Sequence, residues 1–274
     1  MHTLHSSPCF SAAQLSDIDA QLRLCLSTTF NVHLTDAQWL QASLPVSNGG
    51  LGIRCTSHLA PSAFLSSINS TRDLQQQILS LCPMVGYTDS YVEKAEKIWC
   101  DITQEEVPDG ITASIQKAWD NTVVNSYYKT LLADNSNDHD NARLLAVSAP
   151  KSSDWLHALP ISSCGLRLDD EAVRIAVGLR LGVKICEPHK CICGEDVDPL
   201  GHHGLSCKRS AGRSSRHSNL NDIMWRALTK ANIPSVKEPC GLSRSDGKRP
   251  DGLTQIPWSL RKCMTWDVTV VDTV

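Results

Sequence analysis

The chain has 274 residues, of which 41% are hydrophobic and 20% are charged, and it contains 15 Gly and 13 Pro. These proportions exclude collagen, a coiled coil and wholesale disorder, and the length suffices for about two domains of ~150 residues. No run approaches the ~18 uncharged apolar residues of a spanning helix, and the first residues lack the pattern of a signal peptide. We therefore expect a nuclear or cytoplasmic protein that is neither secreted nor embedded in a membrane.

The formal net charge of −3 hides an uneven distribution along the chain. Residues 1–207 contain 14 Lys and Arg against 23 Asp and Glu, whereas residues 208–274 contain 12 against 6. A concentrated basic segment can neutralise phosphates and release their counterions, which is the sequence-independent part of nucleic-acid affinity. A solvated basic surface without a partner is the alternative that charge alone leaves open.

Residues 1–150 are predicted to be mainly helical, with polar turns between the helices. Thr35 and Gln38 form a capping-box pattern at the start of one helix, and Asn48–Gly50 closes that segment as a turn. Apolar residues at three- and four-residue spacing predict further helices. These cover 61–81, 91–102, 111–132 and, as a shorter segment, 141–149.

The pattern changes beyond residue 154. Trp155–Pro160 is a compact apolar motif, and the acidic residues Asp169–Glu171 open a helix that Gly182 can end. Residues 186–207 are rich in Cys, His, Gly and Asp and show no apolar period. A packed hydrophobic face cannot hold such a loop, so another source of stability is needed.

The last third of the chain reads as a helix followed by a small sheet. The helix covers 213–233 and ends at Pro234. Strand-like segments follow at 235–242, 249–256 and 263–274. The predicted fold class is α+β, with a mainly helical N-terminal region, a metal-binding loop, and then a helix with a small β-sheet.

The loop over 186–207 has the spacing of a zinc site. Its four candidate ligands are Cys191, Cys193, His202 and Cys207, spaced C-x-C, eight residues, H, four residues, C. Three thiolates and one imidazole form a closed tetrahedral site for structural Zn²⁺. His203 competes directly with His202, and Cys186 and His189 are weaker candidates. A loop that is rich in Cys and His without binding a metal is the alternative.

Two aspartates fall on neighbouring predicted strands, Asp251 near the start of one and Asp267 in the next. On a hairpin they can face each other across the strands. Adjacent carboxylates repel unless a cation lies between them, so the pair suits Mg²⁺, which can polarise a phosphodiester and help to generate hydroxide. Glu238 is a candidate third acid. Two unrelated surface aspartates are the alternative that spacing leaves open.

The order of these motifs resembles the C-terminal part of non-LTR retrotransposon reverse transcriptases that carry a restriction-like endonuclease. In chain order they are the CCHC cluster, Arg216-His217, Glu238-Pro239, Arg249-Pro250-Asp251 and Asp267-Val268-Thr269. Trp155–Pro160 is similar to the HINALP-type motif of that family's linker. Trp39–Pro45 and Gly49–Arg54 resemble the segment that follows the polymerase fingers and palm.

The resemblance implies three regions: a helical post-polymerase region over 1–150, a linker with the zinc knuckle over 151–207, and a partial PD-(D/E)xK endonuclease over 208–274. In that family the nuclease nicks target DNA, and the exposed 3′ hydroxyl primes reverse transcription. DNA and possibly element RNA are the implied partners, with Zn²⁺ and Mg²⁺ as cofactors. The implied catalytic acids are Asp251, Asp267 and Glu238, and the implied nucleic-acid contacts are Arg216, His217, Lys248 and Arg249.

The sequence departs from the family pattern in three ways. Thr269 stands where the D-x-K pattern has lysine, with Lys248 or Lys262 as substitutes. The chain ends at Val274, so we expect the nuclease core to be incomplete. No Y-x-D-D signature is present, so we expect no polymerase activity. A metal-dependent DNA endonuclease, a nucleic-acid-binding module without catalysis, and a relic without function are the competing hypotheses.

Overall fold

A computed structural model of the chain describes residues 2–10, 13–80, 90–134, 137–164, 166–243, 245 and 247–270. The chain divides into two compact units, Met1–Ile185 and Cys186–Val274. The sequence motifs predict region boundaries at residues 150 and 207, whereas the compact units divide between residues 185 and 186. Within the described residues, every helix is too short or too polar to cross a membrane.

The first unit is built from helices. They are α1 (His2–Ser6), α2 (Ala13–Phe30), α3 (Asp36–Ser43), α4 (Thr56–Ser80), α5 (Ser90–Thr103), α6 (Gly110–Ala113), α7 (Gln116–Asp134), α8 (Asp138–Ser148), α9 (Asp154–His157) and α10 (Asp170–Leu181), with 3₁₀ turns at Val46–Asn48 and Ser162–Cys164. The capping box of α3 is confirmed, because the Thr35 hydroxyl accepts from Gln38 N and the Gln38 side chain accepts from Thr35 N. The helix predicted over 111–132 is divided into α6 and α7.

Helix α4 begins at Thr56, before the predicted start at residue 61. Its N-terminus is capped by Asp19 of α2, whose carboxylate accepts from Thr56 N at 2.6 Å and from Ser57 N at 3.0 Å. Burial alone would raise the pKa of Asp19, but hydrogen bonds from Cys55 and Ser57 outweigh it and hold the pKa at about 2. A cap supplied from 37 residues away leaves no local signature at the start of the helix.

The main core of this unit surrounds two tryptophans. Trp99 and Trp119 are each 1% exposed, and their rings meet edge to face at 5.0 Å. The Trp119 indole donates to Ala113 O at 2.8 Å, which satisfies a carbonyl at the end of α6.

A buried arginine joins the segments that carry the upstream motifs. Arg180 of α10 is 3% exposed and donates to Gly50 O, Val46 O and Ser153 Oγ at 3.0, 2.7 and 2.8 Å. Burial lowers the pKa of Arg180. Gln41 donates to Gly49 O and Arg180 O, both at 3.0 Å. The motifs around residue 50 therefore have a structural role in holding α3 and α10 together.

The second unit combines helices and short strands. Strands β1 (His189–Lys190) and β2 (Asp196–Val197) form a hairpin, followed by α11 (His202–Ser206) and α12 (Ala211–Lys230). Strands β3 (Ser235–Lys237), β4 (Gly252–Thr254) and β5 (Thr265–Trp266) form an antiparallel sheet in that order. The α+β class is thus confirmed, although the strands are shorter than predicted, and residues 271–274 of the last one lie outside the described residues.

Candidate metal centres

The Cys- and His-rich loop gathers four ligand atoms. Those of Cys191, Cys193, His203 and Cys207 all lie within 4.8 Å of one another. The Cys193 sulfur is 3.1 Å from His203 Nε2, and the sulfurs of Cys191 and Cys207 are 3.8 Å apart. A closed set of three thiols and one imidazole has the donor chemistry of a structural zinc site.

Local backbone geometry creates this arrangement. Gly194 has φ of 98° and donates its N–H to Cys191 O at 2.8 Å, which turns the chain between the first two cysteines. Gly201, with φ of 72°, precedes α11. Cys207 N then donates to His203 O at 2.8 Å, so the short helix brings the third thiol back to the imidazole.

The structure brings His203 to the three cysteines, and not the predicted ligand His202. Neighbouring residues on an α-helix point about 100° apart, so α11 can direct only one of the two imidazoles to the cysteines. His202 lies instead beside Asp198, with its Nδ1 at 3.6 Å from Asp198 Oδ2 and its backbone N–H donating to Oδ1 at 3.1 Å. Cys186 and His189 also lie outside the group, since they contact backbone carbonyls of Asp198 and Glu187.

Hydrogen bonding favours the ligand form of one thiol. The backbone N–H of Cys193 and the side chains of Cys193, His203 and Cys207 lower the pKa of Cys191 to about 6. Since the thiolate is the metal-binding form, less proton displacement is required at this position than at an ordinary cysteine.

A second group joins the two predicted aspartates to a histidine. Ligand atoms of His217, Asp251 and Asp267 all lie within 4.8 Å of one another. The register that pairs Gly252 with Trp266 places the aspartates across from each other at one end of the β4–β5 hairpin. His217 Nε2 is 3.0 Å from Asp251 Oδ2, which also accepts from Val268 N at 2.6 Å.

Asn221 connects the group of His217, Asp251 and Asp267 to α12 by hydrogen bonds. It lies one turn after His217 on α12, is buried, and donates to Asp251 O at 3.2 Å. Its Oδ1 accepts from Trp266 Nε1 at 2.9 Å. The Trp266 ring covers Gly252 so closely that a Cβ there would lie 1.8 Å from it. Sequence reasoning missed Asn221, although its spacing of four residues from His217 was an available signal.

The remaining predicted contacts lie elsewhere. Glu238 is 61% exposed in its side chain and pairs with Arg249 at 2.6 Å, outside both groups of potential metal ligands found among the described residues. Arg216 donates to Leu205 O and thereby ties α12 to α11, and its Nε is buried without a hydrogen-bond partner. Lys248 and Lys262 are exposed. The structure therefore brings Asp251, Asp267 and His217 together but not Glu238.

A third constellation lies in the first unit, where Asp19, Cys55 and His58 line an open groove of about 920 Å³. The Cys55 thiol donates to Asp19 Oδ2 at 2.9 Å. Burial and this contact raise the pKa of Cys55 to about 11, opposite to the shift of a nucleophilic thiolate. With Asp19 committed to capping α4, the constellation is structural.

Comparisons with family models, curated proteins and solved structures gave no match for this chain.

Proposed function

We propose that the second unit is a zinc-stabilised, metal-dependent nuclease module that nicks DNA, derived from the endonuclease region of a retrotransposon reverse transcriptase. The observation that carries the proposal is the convergence of His217, Asp251 and Asp267 at one end of the sheet. The basic balance of residues 208–274 and the order of the motifs support it. So does the succession of α12, β3, β4 and β5, which suits a partial restriction-endonuclease-like core.

The donor sets differ in the ions that they suit. The three thiols and the imidazole of His203 fit Zn²⁺ in a structural role. The carboxylates of Asp251 and Asp267 fit a hard cation such as Mg²⁺ or Mn²⁺. Such a cation, when bound, polarises a phosphodiester and lowers the pKa of a coordinated water.

The side chains around the acids have separate tasks in this proposal. His217 holds Asp251 through the contact between its Nε2 and Asp251 Oδ2. The N–H of Val268 fixes the same carboxylate oxygen, so the Asp251 side chain is oriented before substrate arrives. Asn221 keeps this end of the hairpin on α12 through its two hydrogen bonds.

A nucleic-acid-binding module without catalysis is the second candidate. It is favoured by the Glu238–Arg249 ion pair, which occupies the third predicted acid, and by Thr269 at the position of the motif lysine. Under this alternative the unit grips DNA or element RNA, and the loss of both aspartates leaves binding intact.

Nicking of supercoiled plasmid by the purified full chain distinguishes the candidates. With Mg²⁺ or Mn²⁺ present, we expect conversion to open circles by the unchanged protein and none by Asp251→Asn, which should still bind duplex DNA. Asp222→Asn is the matched control, because this carboxylate of α12 forms an ion pair with exposed Lys237 and lies outside the group of His217, Asp251 and Asp267. Equal nicking by Asp251→Asn and the unchanged protein would overturn the nuclease assignment. Undiminished binding without any nicking would establish the binding module.

A further inference from the structure

A groove in the second unit shares a lining residue with the proposed nuclease site. It has a volume of about 500 Å³ and is lined by Lys208, Ser214, His217 and Ser218. His217 belongs both to this groove and to the group with Asp251 and Asp267. A ligand in the groove can therefore contact the histidine whose Nε2 lies 3.0 Å from Asp251 Oδ2.

Two hydroxyls in the groove are available to a ligand. Ser214 and Ser218 are exposed, lie four residues apart on one face of α12, and make no hydrogen bond with any described residue. Some helical hydroxyls bond back to the preceding turn, as Thr229 of the same helix does to Trp225 O at 2.9 Å, and such a bond occupies the donor. The groove hydroxyls are thus free to donate to an acceptor from outside.

A cation completes the lining. Lys208 is exposed and has no carboxylate within ion-pair distance among the described residues, whereas Lys237 and Arg249 each pair with an acid. One uncompensated ammonium with two hydroxyl donors is the chemistry that binds a phosphate group. Acidic side chains are absent from the described residues that line the groove.

We propose that this groove binds a backbone phosphate of a nucleic-acid strand, and so positions the adjoining phosphodiester at His217, Asp251 and Asp267. This inference rests on the proposed function, which names nucleic acid as the substrate. The groove binds the strand, and the two acids form the metal site. The ligand class is a phosphodiester strand, and Lys208, Ser214 and Ser218 are binding residues.

The test measures binding of a fluorescein-labelled duplex by anisotropy at several salt concentrations, with no divalent cation added. Lys208→Gln should weaken binding and reduce the slope of log affinity against log salt by about 1, as expected for the loss of one phosphate contact. Ser214→Ala with Ser218→Ala should weaken binding by about 3-fold to 10-fold and leave the slope unchanged, because hydroxyls release no counterions.

Matched controls lie on the same helix. Lys230→Gln removes an exposed cation at the other end of α12, and Ser215→Ala with Asn219→Ala removes polar groups outside the groove lining. Both controls should bind like the unchanged protein. Equal losses for Lys208→Gln and Lys230→Gln would show diffuse attraction by the basic surface and overturn the assignment.

Further arms separate this proposal from the nuclease assignment. Single-stranded DNA and RNA are tested as additional ligands. Weaker binding of any of these strands by Lys208→Gln supports the assignment of the groove as a phosphate site. Inorganic phosphate is added as a competitor, and competition as effective as that of an oligonucleotide at equal phosphate concentration would assign the groove to a free anion instead. Because no cleavage is required, the Lys208 effect can persist when plasmid nicking fails, and it can vanish when nicking succeeds.

Discussion

The two units of the chain obtain their order from different sources. The first buries large apolar side chains in cores such as that around Trp99 and Trp119. Among its described residues, the second buries only four hydrophobic side chains, Val197, Cys207, Leu228 and Trp266. Its described residues are held by hydrogen bonds such as those of Asn221, and its Cys- and His-rich loop gathers four potential metal ligands. A segment with little apolar surface to bury needs such chemical cross-links to hold one conformation.

Removal of zinc should have the largest effect, and it should act on the second unit alone. Structural zinc provides on the order of 10–16 kcal/mol in zinc-finger peptides, so chelation or Cys207→Ser should unfold the loop over residues 186–207 and leave the first unit folded. Hydrogen exchange read by peptide would show protection lost in the second unit only. Equal protection of that loop with and without chelator would contradict the zinc assignment.

The two adjacent histidines allow a sharper version of that experiment. His203→Ala should abolish stoichiometric zinc, because it removes one of four ligands, whereas His202→Ala should retain it. Mass spectrometry of the metal content checks both variants, and hydrogen exchange of the loop over residues 186–207 is measured alongside it. Retention of zinc by His203→Ala and its loss from His202→Ala would restore the ligand predicted from sequence.

Truncation of a core tryptophan should affect the first unit alone. Trp119→Ala removes a side chain that is 1% exposed and should cost about 3–5 kcal/mol of unfolding free energy. Chemical denaturation gives the value, and zinc content serves as the control for the second unit. A loss below about 1 kcal/mol would mean that the side chain is poorly packed.

Gly252→Ala should disturb the proposed nuclease site through packing. The added methyl group meets the Trp266 ring, and overpacking of this kind costs about 1–3 kcal/mol. We expect reduced nicking together with higher exposure of Trp266 to an aqueous quencher. A variant with unchanged nicking and stability would show that the ring moves aside freely.

Loss of the cap on α4 should give the smallest effect. Asp19→Ala removes the acceptor for two backbone N–H groups and should cost about 0.5–2 kcal/mol. Since the pKa of Asp19 is lowered to about 2, its contribution is complete above the unfolded value near 3.8 and is lost as pH falls through 2. Denaturation at pH 6 and at low pH should show the difference between the variant and the unchanged protein shrinking with acid.

Features set by neighbouring residues could be predicted from the sequence. The capping box of Thr35, the start of α10 at the acidic cap Asp169, and the pairing of Asp251 with Asp267 all depend on spacing within one helix or hairpin. The two helix starts agree with the sequence prediction, and the two aspartates lie together as the hairpin pattern predicts.

Features set by distant contacts could not be predicted in this way. The start of α4 depends on Asp19, and the choice of His203 depends on the phase of a five-residue helix. Glu238 is drawn to Arg249 by an ion pair that spacing does not reveal. The groove of Lys208, Ser214 and Ser218 emerges only when α12 and the loop before it are assembled.

The contact between Asp198 and His202 keeps two adjacent imidazoles apart. The carboxylate of Asp198 lies 3.6 Å from His202 Nδ1 and accepts from the His202 backbone N–H at 3.1 Å, while the phase of α11 turns His203 toward the cysteines. The loop therefore presents one imidazole, and not a choice of two, to any ion that the three thiols would bind. A residue outside the group of potential ligands thus helps to define a single donor set.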